Sequence, residues 1–180
     1  IDNNKAYRLA VWIKKDVVGT GTVYFGCDAS NTLNLSNVAD TNPYFFNFGS
    51  GSFVANRWYL LVGYIHANND ASTTHYSGVY DGVTGQKVIS GTDFKNRNAT
   101  STQTHRTYNY YDANTGVIQY FWGPRFEEIN GNEPPIEALL GISQGATGGS
   151  GITYFRGNVG IVDSTGKIPA ISSTYFADLS

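Results

Sequence analysis

A single cysteine, no methionine, five prolines and only 14 % charged residues set the first limits on this 180-residue chain. One thiol, Cys27, cannot form an internal disulfide, and no Cys/His spacing matches a zinc site, so stability must come from packing. Charged residues fall well below the typical figure of roughly 25 %, which excludes coiled coil and charge-driven disorder. No apolar run approaches the length of about 18 residues that a transmembrane helix needs. The opening residues Ile1, Asp2, Asn3 and Asn4 lack the pattern of a signal peptide, and the chain reads as a water-soluble segment of something longer. The formal charge is only -2 and the pI is about 5.9. Nucleic-acid partners, which require clustered Lys and Arg, are therefore not expected.

What the chain does carry is rings and small polar residues: 13 Tyr, 10 Phe, 3 Trp and 21 Gly. The length suits one domain with an extension. Segments rich in Val, Ile, Tyr, Phe, Trp and Thr predict strands over 7–14, 22–27, 58–66, 77–80, 106–112 and 117–128, with weaker ones over 152–156 and 159–162. Three Asp-to-Gly turns follow them: Asp81-Gly-Val-Thr-Gly85, Asp112-Ala-Asn-Thr-Gly116 and Asp163-Ser-Thr-Gly166. Each offers a side-chain acceptor and a glycine able to take positive φ, so three hairpins are expected. One helix of about two turns is predicted over 132–141, with prolines at its start and Gly141 past its end. The fold class expected is all-β, an antiparallel β-sandwich of jelly-roll type with one short helix and a C-terminal extended appendage. Residues 1–140 form the sandwich, and 141–180 form a Gly-rich connector and appendage that packs on the sandwich or on another subunit.

Catalytic signatures are scarce. There is no nucleophile elbow, dinucleotide or phosphate loop, or zinc-protease motif. The adjacent pair Glu127-Glu128 points to opposite faces of a strand, so the two carboxylates cannot cooperate in glycoside hydrolysis. A hydrolase or lyase would have to recruit Asp81 or Asp112 from a turn, and a noncatalytic role is expected instead. No cofactor is expected, although clustered oxygens of Asp16, Asp28 or Glu128 leave room for a structural calcium ion. His66, Asp70 and His75 are a further candidate cation cluster.

The aromatics are more informative, since they exceed what one modest core requires. Alternation in 7–14 puts Tyr7, Leu9, Val11 and Ile13 in the core and Arg8, Ala10, Trp12 and Lys14 on the wetter face. Trp12 could there stack on a sugar while Arg8 holds an acidic substituent, unless the chain's own loops or a neighbouring subunit cover it. The segment 58–66 is apolar on both faces and reads as a central strand, with Tyr64 and His66 near its end as ligand candidates. Around the Asp112 turn, Tyr111, Trp122 and Arg125 are expected to be exposed. Tyr44, Phe45 and Phe46 follow Pro43 in a loop, as either a hydrophobic plug or a stacking platform.

Ala6-Tyr-Arg-Leu-Ala-Val-Trp-Ile-Lys14, Val23-Tyr-Phe-Gly26, Trp58-Tyr-Leu-Leu-Val-Gly-Tyr64 and Tyr120-Phe-Trp-Gly-Pro-Arg125 together resemble jelly-roll carbohydrate-binding modules and the related sandwich domains of bacteriophage tail fibres. The segments Gly157-Asn-Val-Gly-Ile161 and 166–176 resemble linkers in virion adhesins. The resemblance implies an extracellular receptor-binding domain of a virion tail, homotrimeric, that recognises host cell-surface polysaccharide without catalysis and without contacting membrane. The alternative it allows is a carbohydrate-binding module of a secreted polysaccharide-degrading enzyme.

Overall fold

A computed structural model of the chain describes residues 1–141. The chain divides into two compact units, Ile1–Pro135 and Ile136–Ser180. The expected strands over 152–156 and 159–162, the Asp163 turn and the appendage lie outside the described residues.

The first unit is an all-β sandwich. Its ten strands are β1 (Tyr7–Lys15), β2 (Thr22–Gly26), β3 (Thr32–Asn34), β4 (Tyr44–Gly49), β5 (Trp58–His66), β6 (Gly78–Asp81), β7 (Lys87–Ser90), β8 (Phe94–Asn96), β9 (Arg106–Tyr110) and β10 (Gln119–Glu128). Seven of them form a larger sheet with the path β10-β1-β5-β6-β7, to which β8 and β3 are added through β5. The smaller sheet is β4-β2-β9. All pairings are antiparallel except β5 with β8. The chain repeatedly leaves one sheet for the other, as a jelly roll requires. In the second unit, α1 (Ile136–Leu139) is a single turn rather than the two turns expected. It begins only after Pro134-Pro135, since a residue before proline is held out of the helical region.

Strand alternation builds the core between the sheets. Leu9, Val11 and Ile13 of β1 meet Val23 and Phe25 of β2, together with Phe45, Phe46, Phe53, Tyr59, Leu61, Ile65, Val79 and Phe94. The segment 44–49, expected as a loop, is a strand, and its Phe45 and Phe46 are core. Between the pairs Phe25↔Phe46 and Gly26↔Tyr44 the register shifts by one residue. Phe45 is the extra residue, and the bulge lets two consecutive phenylalanines face inward. Gly63 makes the room: a Cβ there would sit 2.2 Å from the Phe45 ring.

Of the two described Asp-Gly turns, one is a hairpin. Asp81 Oδ1 accepts the Val83 amide at 2.8 Å, Gly85 takes φ +72°, and β6 pairs with β7. The Asp112 turn has the expected local chemistry, with the Asn114 amide donating to Asp112 Oδ1 at 3.1 Å. It nevertheless joins β9 of the smaller sheet to β10 of the larger one. The hairpin expectation fails here because turn chemistry specifies a reversal and says nothing about which sheet receives the next strand.

Candidate ligand surface and pocket

The outer face of the smaller sheet is paved with tyrosine. Thr22, Tyr24 and Gly26 of β2 alternate with the inward Val23 and Phe25, and their register partners on β9 are Tyr110, Tyr108 and Arg106. On the other side, Gly26 pairs with Tyr44 of β4. Tyr24 is the hub: its ring centroid lies 4.5 Å from that of Tyr44, 5.3 Å from Tyr108 in a stacked arrangement and 5.8 Å from Tyr110. Tyr110 in turn meets Tyr111 edge-on at 4.5 Å. Tyr111 takes φ +50°, which turns the chain out of the strand and leaves its side chain 82 % exposed.

The hydroxyls of Tyr44 and Tyr108 share a hydrogen bond. That bond, with the accompanying loss of water, raises the Tyr108 pKa and keeps the phenol neutral. The Arg106 guanidinium stacks over the Tyr44 ring at 4.5 Å, a cation–π contact that stiffens one end of the row. Five rings with polar tips on a flat, hydrogen-bonded base can stack on an apolar sugar face while their hydroxyls exchange hydrogen bonds with its rim.

A second feature is a pocket of about 390 Å³ at the end of β5, lined by Tyr64, His66, Asp70, Ser72, Tyr76 and Glu133 among others. That volume is within the range of roughly 300–1,000 Å³ usual for small-ligand sites. Tyr64 and Tyr76 lie 5.5 Å apart between centroids. His66 is clamped on both nitrogens, with Nδ1 2.9 Å from Asp70 and Nε2 3.0 Å from the fully buried Asp93. The hydrogen bond with Asp93 raises the His66 pKa, burial opposes it, and Asp70 adds to the rise. Burial pushes Asp93 upward, but hydrogen bonds from His66 and from the Ser77 and Tyr76 amides outweigh it and leave the pKa lowered. Asp70 is lowered by His66 and by the Ser72 amide. Glu133, pushed up by burial, is pulled below its usual range by backbone donors that include Asn130 and Gly131. The carboxylates lining this pocket are thus held as anions, in the acceptor form.

The expected site residues separate into groups. Arg8, with a side chain only 3 % exposed, binds Glu127 Oε2 at 2.6 Å and the Pro134 carbonyl at 2.6 Å. It also hydrogen-bonds Tyr64. Arg125 Nε holds the other oxygen of Glu127 at 2.7 Å. Tyr64 and His66 line the pocket, whereas Arg8 and Arg125 meet at Glu127 and are not among its lining residues, and Arg8 is not on a wet face as expected. Trp12 is also not exposed. It is 5 % accessible, and its ring lies against Gly82, where a Cβ would come within 2.7 Å of it. The turn after β6 covers the ring, so it offers no stacking face.

Trp122 is 63 % exposed on β10, an edge strand, and Arg125 points the same way. Residues three apart in a regular strand face opposite sides. Here Trp122 pairs with Trp12 and Arg125 with Ala10, across a bulge containing Gly123 at φ +58° and Pro124. Tyr111 joins the tyrosine row; of its other members, Tyr44 is the one expected in a loop, and the sequence alone does not single out Tyr24, Tyr108 or Tyr110. The signal for Tyr24 was present in the alternation Val23-Tyr24-Phe25.

The oxygens considered for calcium do not gather. Asp16 accepts the Val17 and Ile118 amides, Asp28 caps Ser30 and holds Asn31, and Glu128 pairs with Lys5. His75 Nδ1 accepts the Asp93 amide instead of joining His66 and Asp70. Among the described residues, no group of three or more His, Cys, Asp or Glu is arranged to hold a metal ion. Cys27 is a buried thiol whose pKa burial pushes up to about 12, which makes it an inert packing residue.

No family model matches this chain, and no curated protein or solved structure matches it.

Proposed function

We propose that this chain is a noncatalytic glycan-binding domain, of the receptor-binding kind found in bacteriophage tail fibres, and that polysaccharide lies along the tyrosine face of the smaller sheet. The observation that carries this reading is the contiguous row Tyr44-Tyr24-Tyr108-Tyr110-Tyr111 on an outward sheet face. An outward tyrosine is costly to keep dry and well suited to a hydroxyl-rich partner. The pocket supports binding rather than hydrolysis, because a glycosidase general acid needs a raised pKa and both Asp70 and Glu133 are lowered. Weak contacts of this kind become effective when a homotrimer presents three copies, since linked sites raise avidity by about 10²–10⁴.

Affinity electrophoresis of the full chain against a panel of bacterial surface polysaccharides tests the reading. Retardation by at least one polymer, relieved in the double variant Tyr24→Ala/Tyr108→Ala, supports it. Retardation lost in Tyr64→Ala but kept in the double variant moves the site to the pocket. Absence of retardation across the panel, or release of new reducing ends, sinks it. Light scattering distinguishes the fibre setting, with three chain masses expected, from a monomeric module of a secreted enzyme.

A further inference from the structure

Lys15, the last residue of β1, is one of the most completely buried side chains of the molecule, with no exposed side-chain surface. Long ammonium side chains almost never occupy such positions unless something there requires them. Its Nζ lies 3.3 Å from Asn109 Oδ1 on β9 and 3.3 Å from Asp112 Oδ2 just beyond that strand. Asn109 Nδ2 donates to the same Asp112 oxygen, also at 3.3 Å. Amine, carboxamide and carboxylate thus form a closed triangle joining the larger sheet to the smaller one.

The triangle is sealed by backbone. A Cβ on Gly19 would fall 2.3 Å from Asp112 Oδ2, and one on Gly21 would fall 2.7 Å from Asn109 Oδ1. Gly19 also takes φ +65°. The Gly19-Thr20-Gly21 segment therefore lies directly over the polar groups. It also supplies donors: Asp112 Oδ1 accepts the Thr20 amide at 3.0 Å and, from the far side, the Asn114 amide at 3.1 Å. Backbone hydrogen bonds, that of Thr20 foremost, hold the Asp112 carboxyl far below its usual range against the effect of burial. The carboxylate therefore keeps its charge without depending on Lys15.

We propose that Lys15 and Asn109 are poised to form an intramolecular isopeptide bond, with Asp112 as the proton carrier. Asp112 Oδ2 takes a proton from the Lys15 ammonium. The freed lone pair on Nζ attacks Asn109 Cγ. The tetrahedral adduct collapses with cleavage of the Cγ–Nδ2 bond; one proton from the Lys15 nitrogen and the proton held by Asp112 pass to the departing nitrogen, which leaves as ammonium. Carboxamide plus alkylammonium becomes a secondary amide plus ammonium, without redox change and without a cofactor. Afterwards Asp112 is an anion again, still bound by its backbone donors and now facing an amide N–H. Burial and fixed geometry provide the effective concentration such a slow amide exchange needs. The strong acidity of Asp112 makes the first proton transfer unfavourable, so closure is slow.

The test is intact-mass spectrometry of the folded full chain before and after incubation in mildly alkaline buffer, followed by proteolytic mapping. The expected mass is that of the sequence less one ammonia, with a branched peptide that joins the Lys15 and Asn109 segments. Asp112→Asn and Asn109→Ala should both retain the full mass. Wild-type protein that keeps the full mass throughout, or a deficit that survives in Asn109→Ala, overturns the proposal. Because the wild-type mass decides by itself, a variant that fails to fold does not obscure the answer, and neither outcome depends on what the tyrosine face binds.

Discussion

The two faces of the smaller sheet are both aromatic, yet they are built for opposite surroundings. The inner face carries Phe25 and Phe46, with Phe45 at the bulge, and these rings are almost wholly sealed. The outer face carries Tyr24, Tyr44, Tyr108 and Tyr110, half-buried or exposed, with the hydroxyls of Tyr44 and Tyr108 paired to one another. Phenylalanine has no polar atom to satisfy and is stabilised by about 1.5–3 kcal/mol on burial. Tyrosine brings an O–H that must find a partner. One strand, Val23-Tyr24-Phe25, makes both choices in three residues, and in this sheet the hydroxyl sorts the rings between core and surface, whereas the core Tyr59 keeps its hydroxyl satisfied by the Val54 amide.

The comparison breaks most visibly at the inner face. Phe25→Ala leaves a cavity among Phe45, Phe46 and His105, whose rings lie 5.1–5.5 Å away by centroid. A loss of about 3–5 kcal/mol is expected, read as a fall in the midpoint of urea unfolding. Gly63→Ala presses a methyl group into Phe45 and should cost roughly 1–3 kcal/mol by the same measurement. An unchanged midpoint would mean that the bulge at Phe45 is not packed as described.

At the outer face the effects should fall on binding. Tyr24→Ala removes the hub of the row and is expected to weaken polysaccharide retention about tenfold, or ~1.4 kcal/mol, with a smaller stability loss than Phe25→Ala. Equal stability losses for the two variants, with no change in retention, would erase the distinction between the faces.

The smallest effect concerns pH. The His66 pKa is raised above its reference of 6.5, so its contribution is fully present below about pH 6.5 and is lost as pH rises through the folded value. Asp70 and Asp93 are lowered from 3.8, and their contribution is lost as pH falls through the folded values. Thermal melts should therefore show stability declining from slightly acidic toward alkaline pH, and His66→Gln should flatten that alkaline decline. A variant with the same slope as the wild type would place its origin elsewhere.

Much of the fold is legible in the chain. The strands over 58–66, 7–14 and 22–27 and the core set Leu9, Val11 and Ile13 follow from a period of two, because alternation is a local property written residue by residue. The central position of β5 follows likewise from its two apolar faces. Exposure of Tyr111, Trp122 and Arg125 was also readable. Alternation alone does not fix exposure: Trp12 sits in the outward phase of β1, yet the turn at Gly82 covers it, which is the alternative the sequence left open. Tyr44, Phe45 and Phe46 looked like a loop because a bulge breaks their phase.

By itself, then, the sequence determined that this is an all-β protein whose rings outnumber the needs of its core, because strand propensity and polarity act over a few residues. Only the tertiary structure decided which rings meet. Tyr24, Tyr44 and Tyr108 lie far apart in the chain, and strand pairing brings them into one row. Packing of one sheet on the other sets Lys15 against Asn109 and Asp112. Register between strands distant in sequence is fixed by packing of the whole sandwich, and no local pattern encodes it.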